Sequence, residues 1–167
     1  MAEGTVAHEA SGHTGSAGQA ASPGERALID ALSSLAPMLR ENAALAEKQR
    51  KPVDAVMQAI EETGCYRWFV PKKYGGYEHS LSGFMEVGIA LGEGCTSHAW
   101  VTTFCMEHNW LLALYDQAAQ DDLFGNQPYI IAPGSLAPNG KATPVEGGYR
   151  ISGRWQWGTG VMPVSYT

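Results

Sequence analysis

Apolar side chains recur every three or four residues through most of this chain, and then the period shortens to two. Leu28, Leu32, Leu35 and Leu39 fall at helical spacing, with Ile29 and Met38 widening the stripe. Ser22-Pro23-Gly24-Glu25 ahead of them reads as an N-terminal capping box, with Ser at N-cap, Pro at N1 and Glu at N3. Pro37 lacks a backbone donor and predicts a kink or a restart within this helix, which then runs to about Lys48. Pro52 opens a second helix carrying Val53, Val56, Met57 and Ile60 on one face, stopped by Gly64. Pro and Gly make Val70 to Gly76 a loop. Leu81 to Leu91 reads as a third helix, its apolar set being Leu81, Phe84, Met85, Gly88, Ile89 and Leu91. A fourth is predicted from about Ser97 to Tyr115 and a short fifth from about Gln117 to Phe124.

Beyond these helices Tyr129-Ile130-Ile131-Ala132 is rich in β-formers and is interrupted by Pro133-Gly134. Lys141 to Trp157 alternates around a Glu146-Gly147-Gly148 turn, the pattern of a hairpin. On an extended segment Trp155 and Trp157 share a face, with Thr159 and several glycines beside them. Such a surface suits a flat heterocycle approached closely by backbone; it equally suits a hairpin that packs its tryptophans into a core. The fold class expected is therefore α+β: mainly α, with a partial β domain. Residues 1–21 are expected to be a disordered tail, 22–126 an all-helical domain, and 127–167 the truncated start of a β domain. About 40 residues cannot close a sandwich, which takes nearer 100.

Composition narrows the picture. Of 167 residues, 44% are hydrophobic and only 17% charged, enough for a substantial core. A net charge of −6 argues against nucleic acid or an anionic membrane as partner. No apolar run approaches the roughly 18 residues of a spanning helix, and no basic start precedes an apolar stretch. Cys65, Cys95 and Cys105 are odd in number and show no C-x-x-C spacing, so neither a disulfide framework nor a metal site is expected, and the setting expected is cytoplasmic. His8 and His13 lie in the expected tail, and His79 and His98 read as structural or exposed.

Glu61-Glu62-Thr63-Gly64-Cys65-Tyr66-Arg67-Trp68-Phe69-Val70-Pro71-Lys72-Lys73-Tyr74-Gly75-Gly76 joins a glycine turn, an apolar run, Val-Pro and Tyr-Gly-Gly. Cys95-Thr96-Ser97-His98-Ala99-Trp100-Val101 follows, then a helix with His108, then Ala142 to Trp155. In this order and spacing the chain resembles the acyl-CoA-dehydrogenase superfamily, and within it the flavin-dependent monooxygenase branch of two-component aromatic hydroxylases. The resemblance implies a helical domain, a β domain and a C-terminal helical bundle meeting around a flavin, of which this sequence would hold the first part and some of the second. It implies reduced flavin (FMN or FAD) as cofactor, a small-molecule substrate, a separate flavin reductase, and homo-oligomers only where the bundle is present. By the same resemblance Trp157 would lie beside the flavin ring and Thr159 would bring its hydroxyl to the N5 side. Thr159 stands where hydroxylases usually carry Ser, and its extra methyl would narrow the site. Gly134 and Ser135 would face the pyrimidine and phosphate side. His108 would point toward the reacting edge of the flavin and the phenolic substrate, as the catalytic residue. Two alternatives stay open: an acyl-CoA dehydrogenase performing FAD-dependent desaturation, and a non-catalytic helical interaction module.

Overall fold

The computed structural model describes residues 21–135, 139–156 and 158–161. The expected tail up to residue 20, with His8 and His13, and Trp157 lie outside the described residues. Ala21, included in that tail, packs against the core.

Six α-helices, two short 3-10 turns (Cys65–Arg67 and Lys72–Tyr74) and one hairpin are the regular elements of the described residues: α1 (Pro23–Ser33), α2 (Ala36–Gln49), α3 (Asp54–Glu62), α4 (Leu81–Gly94), α5 (Thr96–Leu112), α6 (Gln117–Phe124), β1 (Gly140–Val145) and β2 (Gly148–Gly153). The capping box forms: Ser22 Oγ accepts from Glu25 N while the Glu25 carboxylate accepts from Ser22 N, each at 3.3 Å. Pro37 falls in the first turn of α2, so the first helix restarts after Ser34-Leu35 and does not merely bend. Likewise α3 begins at Asp54, two residues after Pro52, and Gly64 follows its end at φ +82°, where an L side chain is strained.

Leu28, Leu32, Leu39, Val56, Ile60, Tyr66, Trp68, Val87, Leu91 and Met106 form one buried core between the helices. Helix α4 corrects the expected apolar face. It buries Gly83, Val87 and Leu91, whereas Leu81, Met85 and Ile89 stand 66%, 58% and 63% exposed. Gly83 decides this rotation. A Cβ there would fall 2.0 Å from Glu25 Oε1 and 2.9 Å from the Trp68 ring, so only glycine lets α1 and α4 approach. The Glu25 carboxylate accepts from the Ser80 N–H at 3.1 Å and from the Ser80 hydroxyl. Ser80 in turn caps α4 through Gly83 N at 3.0 Å, and its carbonyl accepts from the Trp68 indole at 3.0 Å. One buried acid thus joins the starts of two helices.

Two expectations about the β region also change. Among the described residues Tyr129–Ala132 joins no ladder; the isolated bridge Gly134–Thr159 lies just beyond it. The reason is local: Asn109, fully buried on α5, donates to Ile130 O at 3.0 Å and accepts from Ile130 N at 2.8 Å. A side chain takes the place of a neighbouring strand and satisfies the backbone. The hairpin pairs Gly140 with Gly153 through Val145 with Gly148, but β2 ends before Trp155. That residue is 45% exposed, outside any core, and lies over Gly140 and Gly153. Every residue of the two strands is exposed.

Candidate functional site

Helix α5 spaces Trp100, Phe104 and His108 four residues apart, which puts them on one stripe. The Trp100 and Phe104 rings stack with centroids 6.2 Å apart and an interplanar angle of 30°. Phe104 and His108 are closer, at 4.3 Å and 51°. The segment after α6 comes to this stripe because Asn109 fixes Ile130, and His108 fixes Ala132 two residues later.

His108 is 8% exposed, and its Nδ1 lies 2.7 Å from the Ala132 carbonyl oxygen. A carbonyl only accepts, so Nδ1 carries a proton; in the neutral form of the ring the lone pair lies at Nε2. That edge of the ring meets Gly134. A Cβ on Gly134 would lie 2.3 Å from His108 Cε1 and 2.9 Å from Nε2, so the backbone reaches the imidazole only because no side chain intervenes.

Gly134 bridges to Thr159 in antiparallel fashion. The Thr159 hydroxyl accepts from the Trp100 indole N–H at 3.3 Å. Ser135 Oγ donates to the Gln156 carbonyl at 3.4 Å. His108, Gly134, Ser135 and Thr159, selected from the sequence, therefore lie together; Trp157 lies outside the described residues. Trp100 and Phe104 join them, not selected by motif, although their four-residue spacing from one another and from His108 is legible in the sequence. Pro133, Gly134, Ser135, Trp155, Gly158 and Val161 line an open depression of about 490 Å³ beside this cluster.

Three further buried titratable groups play structural parts. Burial pushes the Cys65 thiol up to about 12 and the Cys105 thiol up to about 11, so both stay protonated and unreactive near neutrality. His98 is 1% exposed; its Nε2 accepts from Val53 N at 3.2 Å, tying the start of α5 to α3, and burial lowers its pKa. Among the described residues no cluster of three His, Cys, Asp or Glu could hold a metal ion. No described helix is long and apolar enough to cross a membrane.

No family model matches the chain. It is 38% identical over 135 residues to the oxygenase subunit HsaA, a flavin-dependent monooxygenase of Rhodococcus jostii, covering 81% of this chain and 35% of that one. It is 31% identical over 139 residues to the oxygenase component of p-hydroxyphenylacetate 3-hydroxylase from Acinetobacter baumannii, covering 83% and 33%. Among solved structures, HsaA from M. tuberculosis superposes with a TM-score of 0.80 at 32% identity, over 84% of this chain and 38% of that one. XiaF from Streptomyces, solved with FADH2 and glycerol, gives 0.75 at 29%, over 80% and 34%. The chain spans about a third of the length of the curated relatives it matches.

Proposed function

We propose that this chain forms one wall of a reduced-flavin site in the oxygenase component of a two-component aromatic hydroxylase, with a separate reductase supplying the flavin. The observation that carries the reading is the pairing of a tautomer-fixed imidazole with a hydroxyl across Gly134. His108 is held by Ala132 and abuts Gly134, and Gly134 is bridged to Thr159.

The residues fit a flat heterocycle. Gly134 packs its backbone on His108 and also lines the adjoining open depression, as does Trp155. Bound reduced flavin supplies the electrons that activate oxygen. The chain's own contribution is positional and protolytic. His108 Nε2 accepts the proton of a phenolic hydroxyl, making the aromatic ring more electron-rich; Nδ1–H passes no proton on, because Ala132 O holds it. Thr159 would offer one hydroxyl to the ring edge, and Gly134 and Ser135 would line its polar side. The substrate class is a small phenol or related aromatic.

Anaerobic titration of the 15N-labelled chain with reduced FMN and reduced FAD tests this. The expected result is saturable shifts at the Gly134, Ser135 and Thr159 amides and at the His108 ring. Shifts that are absent, or that map to the far side of α1 and α2, would overturn the reading.

A further inference from the structure

We propose that Trp100 is a positioning residue of this site, its indole N–H setting the direction in which the Thr159 hydroxyl acts. The inference rests on the flavin reading above and deepens it. Trp100 is 63% exposed, so burial does not hold the indole where it is. Two specific contacts do: the stack on Phe104 and the 3.3 Å hydrogen bond to Thr159 Oγ1.

Indole N–H is a donor only, so Thr159 Oγ1 must accept there. One lone pair is then occupied, and the hydroxyl proton and second lone pair are left for a ligand. Accepting one hydrogen bond also makes the O–H a stronger donor in turn. A hydroxyl so arranged can donate to the bare N5 of an oxidised flavin or accept from the N5–H of a reduced one. The Gly134 bridge already fixes the Thr159 backbone, which leaves the side-chain rotors for Trp100 to settle.

Helix α5 thereby orients both polar groups of the site. His108 is fixed through Ala132, and Thr159 is fixed through Trp100, two turns and about 12 Å of helix earlier. Phe104 lies between and touches both rings.

The test uses the flavin-free chain first. Thr159→Val should shift the Trp100 indole resonance and speed its hydrogen exchange several-fold, while Thr159→Ser should preserve both. An indole signal indifferent to Thr159→Val overturns the proposal. In the second arm, reduced FMN is titrated into wild type and Trp100→Phe, which keeps the aromatic wall and removes the donor. Affinity should fall about three- to tenfold, the worth of one hydrogen bond, and the flavin-induced shift of the Thr159 amide should shrink while that of His108 persists. Equal affinity in the two proteins overturns the role of Trp100 alone. Failure of wild type to bind reduced FMN overturns the flavin reading and this role together.

Discussion

At Gly134 a missing methyl group decides the chemistry of a histidine. Because a Cβ would lie 2.3 Å from His108 Cε1, Gly134→Ala must either turn the imidazole or push the backbone off α5. Either movement breaks the 2.7 Å bond from Nδ1 to Ala132. The substitution should cost about 1–3 kcal/mol, the price of a disturbed buried hydrogen bond, read from urea unfolding, and should shift the His108 ring resonances. Gly92→Ala is the control, since nothing lies within 4 Å of its added Cβ. Inside α4 that change should stabilise by about 0.5–1 kcal/mol through helix propensity. If both substitutions have the same small effect, the backbone of Gly134 is not held against the histidine.

Helix α4 shows which part of an element its sequence makes legible. Its existence and its start near Leu81 follow from apolar spacing. Its rotation does not, because Leu81, Met85 and Ile89 form as good a stripe as Val87 and Leu91. The choice is made by Glu25 and Trp68, brought against Gly83 from 58 and 15 residues away. A charged side chain distinguishes the faces. Ile89→Glu should change stability by no more than about 0.5 kcal/mol, whereas Val87→Glu, at a fully buried position, should cost more than about 3 kcal/mol. The reverse order in chemical denaturation would mean the helix is turned. The same limit explains Tyr129–Ala132. β-propensity marks an extended segment, but it cannot reveal that Asn109 and His108 satisfy its backbone in place of a strand. For the candidate site, the resemblance points to His108, Gly134, Ser135 and Thr159 one by one, and their proximity is what the fold adds. Trp100 went unread because its partner is 59 residues away.

Across the whole molecule, two buried groups from different helices contribute to the response to acid. Burial lowers the His98 pKa from 6.5, so the folded state resists its protonation. Its contribution is complete above pH 6.5 and is lost as pH falls through the lowered folded value. Burial works against ionisation of Glu25, but hydrogen bonds from Ser80 and Ser22 outweigh it and bring the carboxyl below 4.5. Its share is complete above pH 4.5 and disappears in stronger acid. Urea midpoints should therefore be flat just above pH 7, decline below 6.5 and decline further below 4.5, with His98→Gln reducing the first slope, which His79 shares, and Glu25→Gln reducing the second, which Glu78 and Asp121 share. Enclosure sets the remaining expectation. Tight small-molecule sites bury most of the ligand's surface, roughly 70–90% of it. Here the depression beside Gly134 is open, and the hairpin flanking it is exposed along both strands. One wall supplies orientation and a few hydrogen bonds but little desolvation, and hydrogen bonds open to water contribute about 1 kcal/mol each. Flavin binding by these 167 residues should consequently be weak, with fast exchange in the NMR titration and a nearly unperturbed visible spectrum. A tight stoichiometric titration with a shifted spectrum would show that the wall closes around its ligand by itself, and that the hairpin moves from its exposed position to do so.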